Sequence, residues 1–271
     1  MVAAPITEFR RGGNLVKHQV LSRIRRRRSA DPVAIDRFSA TIAALLDGAD
    51  AALVHVGLSD VNAALPGDPY DVVIETLTDH VESVVVPGFT DYFATSGVFH
   101  KQYSRPKHGT FARLFLADAD YRTDDAMKSF LVAGPYRFSD CVHDDSYHPD
   151  GCFASLVADD VTLVNVGTPW VTCSHLHYLE AIGDVPYVTR KTFDGVLIDD
   201  TELREIEQDC HRYTSPYYSW NKPKLQRDLR RDGSLTVHDL EGLFVAGGSL
   251  REIVTSVERR LASDPHYLVT V

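Results

Sequence analysis

The segment Ser174-His175-Leu176-His177-Tyr178-Leu179-Glu180 holds the residues best suited to chemistry. It follows an apolar run, 161–166, and the breaker stretch Gly167-Thr168-Pro169-Trp170. The order reads as a strand, a turn and the opening of a helix. His177 and Glu180 lie three residues apart, so on a helix they share one face. A carboxylate there can orient the imidazole, and histidine is the side chain whose ordinary pKa suits proton transfer near neutral pH. The pair points to general-base chemistry. A structural histidine at a helix start is the plainer alternative.

Other groupings carry less. Cys173, four residues before His177, could accept an acyl group as a thiolate, although a buried, inert thiol is the favoured reading. His143, Asp144, Asp145 and His148 suit a metal by residue type, but no strand or helix fixes them, so a solvated loop is the simpler reading and no metal is expected. Tyr213, Tyr217, Tyr218 and Trp220 could stack on a sugar or base, or simply pack. The chain has neither a GxGxxG nor a Walker-type loop, which argues against nucleotide hydride transfer and phosphoryl transfer.

The elements that must hold these residues read as α/β. A chain of 271 residues with 44% hydrophobic content can bury one large core. The expected division is a basic N-terminal segment, 1–32, and one catalytic domain, 33–271. Arg25 to Arg28 in that segment could meet phosphates or remain a solvated face. A helix is expected from Val33 to Leu46, a buried strand over 51–56, a loop over 62–66, a helix from Tyr70 to Val81 and a second strand at Val84 to Val86. Two continuous apolar strands around a helix form a parallel βαβ unit. Residues 88–122 are aromatic and polar and read as an excursion that could wall a cleft. Further on, 130–133 and 161–166 read as strands, 153–157 as a helix, and Asp194-Gly195 as a hairpin turn. Helices are expected over 201–210, 225–231 and 250–261.

The formal charge of −10 argues against a mainly nucleic-acid-binding role. Four cysteines without a CxxC pair read as free thiols in a reducing compartment. No apolar run approaches the roughly 20 residues that span a bilayer, and the N-terminus has no signal-type apolar core. A cytoplasmic protein without a membrane partner is expected.

Several motifs, in this order, resemble the aminoglycoside 3-N-acetyltransferase family. They are Val54-His55-Val56-Gly57-Leu58-Ser59, Pro87-Gly88-Phe89-Thr90, Arg122 to Ser129 followed by Gly134-Pro135, and Ser174 to Glu180 followed by Val185-Pro186-Tyr187. The similarity covers roughly 40–265. It implies a fold with a central mixed sheet flanked by helices and an antiparallel addition. It also implies transfer of an acetyl or other short acyl group from acetyl-coenzyme A to an amine of an aminoglycoside, amino sugar or related natural product. By position the family's catalytic base falls on His177, and Glu180 matches the motif's carboxylate. Coenzyme A is expected along His55, Val56, Gly57, Leu58 and Ser59, with Ser129. Asp91, Asp125 and Asp145 are the expected contacts to a cationic acceptor. A homodimer is left open.

The chain also departs from the family's pattern. Asp125-Ala126 stands where the family has His-Pro, and Gly151-Cys152 where it has Ser-Pro. A supporting acidic residue is replaced near Ser219-Trp220-Asn221, with Asp209 as a nearby substitute. An acyl-carrier-protein donor, thioester hydrolysis and a catalytically silent binding protein are therefore kept as alternatives. Acetylation of ordinary clinical aminoglycosides is expected to be weak.

Overall fold

The computed structural model describes residues 32–269 and, before them, Val20. The arginine run 25–28, the rest of the N-terminal segment and residues 270–271 lie outside the described residues.

Helix α1 (Ile35–Leu45) leads into strand β1 (Ala51–Val56) and helices α2 (Leu58–Ala64) and α3 (Pro69–Thr78). Strand β2 (Ser83–Pro87), the short helix α4 (Phe93–Ser96), strand β3 (Val98–His100) and helix α5 (Thr110–Phe115) follow. Strands β4 (Tyr121–Arg122) and β5 (Phe130–Ala133), helix α6 (Cys152–Ala158), strand β6 (Thr162–Val166) and helix α7 (His175–Ile182) complete the middle of the chain. The last third is strands β7 (Val188–Asp199) and β8 (Glu202–Tyr213), helix α8 (Lys222–Asp232), strands β9 (Thr236–Leu240) and β10 (Leu243–Ser249), and helix α9 (Leu250–Ser263).

Seven strands form a mixed sheet in the order β4-β5-β2-β1-β6-β10-β9, and β3-β7-β8 form a separate sheet. Strand β1 is central and runs parallel to both β2 and β6. Its residues alternate between two cores, as the period of two requires. Ala51 and Leu53 pack with Phe153, Leu176 and Leu179, while Ala52 and Val54 pack with Phe38, Ile42 and Val73. A strand covered on both faces reads as an unbroken apolar run. Helix α3 starts where Asp68 accepts from the backbone N–H groups of Tyr70 and Asp71, with Pro69 at its first position.

Three local expectations are corrected. Residues 62–64 belong to α2, leaving only Leu65 and Pro66 of the expected loop outside it. The region 201–210 is not helical but lies almost entirely in β8, whose buried positions Gln208 and Cys210 are two apart, the spacing of a strand. Strand β7 runs straight through Asp194-Gly195, and the chain reverses at Asp200, which adopts a left-handed φ of 51°. Gly195 instead permits close approach: an added Cβ would lie 2.3 Å from the Gly97 carbonyl oxygen. Strands β9 and β10 are an addition that periodicity missed, joined by a turn at Glu241-Gly242 with both φ values positive.

Candidate active site

His177 lies in the first turn of α7, just beyond the end of β6. Its Nδ1 is 3.3 Å from Glu180 Oε2, the i,i+3 geometry that one helical turn imposes. Glu180 is buried, and its carboxylate is filled on every side. Tyr213 Oη donates to Oε2 at 3.1 Å and to Oε1 at 3.3 Å, and Trp220 Nε1 donates to Oε1 at 2.9 Å. The Trp220 ring centroid also lies 4.3 Å from that of His177. Because the carboxylate accepts from Nδ1–H, Nε2 is left as the basic nitrogen. Burial pushes the pKa of His177 below 6.5, while the Glu180 hydrogen bond and charge push it up. The net direction is down, so the imidazole is neutral near pH 7, as a base must be.

His177 lines two cavities. The larger, about 410 Å³, opens at the C-terminal ends of the parallel strands β1 and β2, where open α/β sheets place ligands. Val54, His55, Val56, Val86 and Pro87 form its floor, and Phe89, Phe111, Thr172, Ser174 and Lys222 are among its walls. Two of these residues carry buried polar atoms without a hydrogen-bond partner, His55 Nε2 and Ser174 Oγ. Burial, with Lys222 adding to it, lowers the His55 pKa to about 3, so this ring is neutral. The smaller cavity, about 200 Å³, is lined by ionisable side chains: Asp91, His108, Lys128, Glu180, His211 and Arg212.

Of the residues selected from sequence, His177, Glu180, His55, Val56 and Asp91 line one or both cavities. Gly57, Leu58, Ser59, Ser129, Asp125 and Asp145 line neither. Gly57 follows Val56, the last β1 residue that lines the larger cavity, and an added Cβ there would lie 2.2 Å from the Gly167 carbonyl oxygen. Ser129 Oγ donates to the Gly88 carbonyl and accepts from Arg122 Nε. Asp125 is buried and accepts from the N–H groups of Met127 and Lys128 and from Ser146 Oγ. Burial raises its pKa to about 6 against those bonds. Asp145 pairs with Arg190, and Asp209 accepts from Arg190 and Thr192.

The weaker groupings resolve in the same geometry. Cys173 is fully buried, and burial pushes its thiol up to about 12, which removes it as a nucleophile at neutral pH. The four cysteines are free thiols. Among the described residues no group of three or more His, Cys, Asp or Glu is placed to hold a metal ion. No helix among them is long and apolar enough to cross a membrane. Lys128 and Arg212 are site residues that sequence reasoning did not single out, and Trp220, expected only to stack or pack, lies against His177. Trp220 Nε1 donates to the same carboxylate, Glu180, that faces His177 Nδ1.

A family model described as aminoglycoside 3-N-acetyltransferase matches residues 53–262. A comparison with curated protein sequences finds no match. Among solved structures, AAC-IIIb in a binary complex with CoASH superposes with a TM-score of 0.71 at 18% identity, covering 86% of this chain and 97% of that one. AAC(3)-Xa gives a TM-score of 0.68 at 19% identity, covering 92% and 99%. AAC-VIa bound to sisomicin gives 0.68 at 15% identity, covering 86% and 98%.

Proposed function

The chain belongs to the aminoglycoside 3-N-acetyltransferase family, and on that premise we propose that it transfers a short acyl group from coenzyme A to an amine, with His177 as general base. The observation that carries this reading is one imidazole, neutral and oriented by Glu180, exposed to two adjoining cavities of different character. Two substrates can thus meet at a single proton acceptor.

The larger cavity receives the thioester end of acetyl-coenzyme A, an assignment supported by its position at the strand ends and by the CoASH-bound relative AAC-IIIb. The amine enters from the smaller cavity. Its nitrogen attacks the thioester carbonyl while His177 Nε2 accepts the proton, with Glu180 stabilising the imidazolium that forms. Ser174 Oγ, unpartnered and beside the base, donates to the oxyanion. Collapse breaks the C–S bond, gives the amide, and returns the proton from His177 to the departing thiolate. A protonated amine first loses one proton to solvent, and the neutral imidazole is then required for the second proton, the one released on attack.

Release of coenzyme A, followed with a thiol reporter in the presence and absence of an amine panel, tests the reading. Thiol release that depends on amine supports transfer. Release without amine identifies a thioester hydrolase, and no release from acetyl-coenzyme A refutes acetyl transfer from this donor. We further propose that residues 33–271 act as one catalytic domain, with a cytoplasmic location.

A further inference from the structure

Polycationic aminocyclitols need carboxylates that are free to receive ammonium groups. The smaller cavity has two carboxylates, Asp91 and Glu180, and both are already occupied. Glu180 is filled by His177, Tyr213 and Trp220. Asp91 Oδ1 accepts from Lys128 Nζ at 2.6 Å and from Arg212 at 3.2 Å, and Oδ2 accepts from His108 Nε2 at 2.9 Å. Burial alone would raise the Asp91 pKa, but His108, Lys128 and Arg212 outweigh it and hold the carboxyl well below the usual range. One carboxylate therefore faces two permanent cations and an imidazole. Of the three carboxylates close enough to act on the cavity residue His211, Asp145, Asp209 and Asp184, the first two pair with Arg190.

The cations have capacity to spare. Arg212 is about one-third exposed, and its hydrogen bonds among the described residues go only to Asp91, through Oδ1 and the main-chain oxygen. A guanidinium has five donors, so several remain for a ligand. Lys128, buried under the Phe89 ring, is close enough for its charge to act on His177. At about 200 Å³ the cavity is also smaller than the roughly 300–1,000 Å³ of pockets that enclose drug-sized ligands.

We propose that the acceptor is a small amine that also carries an anionic group, a carboxylate or a phosphate, bound by Arg212 beside Lys128 while its amine faces His177. This rests on the transferase reading above and goes further by naming the acceptor's charge and size. Arg212 supplies a planar fork that matches either anion.

The test is amine-dependent thiol release from acetyl-coenzyme A by the full chain, with matched acceptors. Ethanolamine is compared with O-phosphoethanolamine and β-alanine, glucosamine with glucosamine 6-phosphate, and kanamycin serves as the polycation. The anionic member of a pair is expected to exceed its neutral counterpart in kcat/KM by roughly 10- to 100-fold, the worth of a charge-assisted hydrogen bond. The phosphate and carboxylate arms show which anion is preferred. In Arg212→Gln the ratio should fall below about threefold, the sign of a lost anion contact. Should that variant not fold, the wild-type ratios still decide. Equal or better turnover of kanamycin or the neutral amines overturns the acceptor assignment and leaves the transferase reading standing. A ratio that survives Arg212→Gln overturns Arg212 as the anchor. Absence of thiol release with every amine refutes acetyl transfer from this donor, and the acceptor assignment falls with it.

Discussion

The larger cavity rests on the ends of β1 and β2, so its floor is supplied by short, continuous pieces of chain, Val54 to Val56 and Val86-Pro87. The smaller one takes Asp91 from the segment between β2 and α4, Lys128 from the segment between β4 and β5, and His211 and Arg212 from the far end of β8. Their polar groups differ in the same way. The strand-end cavity holds buried polar atoms still waiting for a partner, His55 Nε2 and Ser174 Oγ. In the charged cavity each carboxylate already accepts at least three hydrogen bonds. One region keeps buried polar atoms without a partner, and the other is pre-organised by its own ion pairs. His177, at the junction, is the residue both depend on.

Removing the shared residue should have the largest effect. His177→Ala is expected to lower turnover by about 10²- to 10⁴-fold, the usual worth of a general base, while calorimetry shows coenzyme A still bound. Near-normal turnover would remove the junction from the mechanism.

Asp91→Ala tests whether the charged cavity is held together by its ion pairs. It strands Lys128, almost fully buried, without its counter-charge, and should cost about 3–5 kcal/mol in denaturant unfolding. The depressed pKa of Asp91 gives the matching pH dependence. Its stabilisation is present above the unfolded carboxylate pKa of about 4 and is lost as pH falls. An unchanged unfolding midpoint would mean that the pairs contribute nothing.

The strand-end cavity is probed by Gly57→Ala. The new Cβ meets backbone atoms of Gly167, which cannot move aside as a flexible side chain would. A loss of about 1–3 kcal/mol is expected, with the KM for acetyl-coenzyme A rising more than that for the amine. The reverse pattern would show that the assignments of donor and acceptor sides are exchanged.

Glu180→Gln should have the smallest effect, roughly tenfold in kcat, because the imidazole keeps a hydrogen-bond partner but loses the charge behind it. Burial lowers the His177 pKa and Glu180 opposes that shift, so removing the charge lowers the pKa further. The acid limb of kcat/KM must then move to lower pH. A shift to higher pH would show that Glu180 does not act on this histidine.

Much of the strand-end region was legible because its signals are local. An apolar run bounded by Gly57 marks β1, another ending at Pro87 marks β2, and the spacing of His177 and Glu180 within one helical turn predicts their contact. The charged region was not legible in the same way. Asp91, Asp125 and Asp145 were grouped as acidic contacts, yet only Asp91 lines a cavity, Asp125 is turned into its own loop, and Asp145 pairs with Arg190. Arg212 sits in the long hairpin β7–β8, where 201–210 reads as helix by residue type, and it approaches Asp91 only because β8 folds back.

By itself the sequence determined the parallel strand pair, the turn that delivers His177, and the carboxylate beside it, since each follows from residues within a few positions of one another. Tertiary structure alone decided that Trp220 and Tyr213 converge on Glu180 and that Arg212 and Lys128 close on Asp91. The physical reason is range. Helical and strand periodicity constrain neighbours along the chain, whereas the charge of a cavity is a sum over groups brought together from distant segments, and no local pattern encodes that sum.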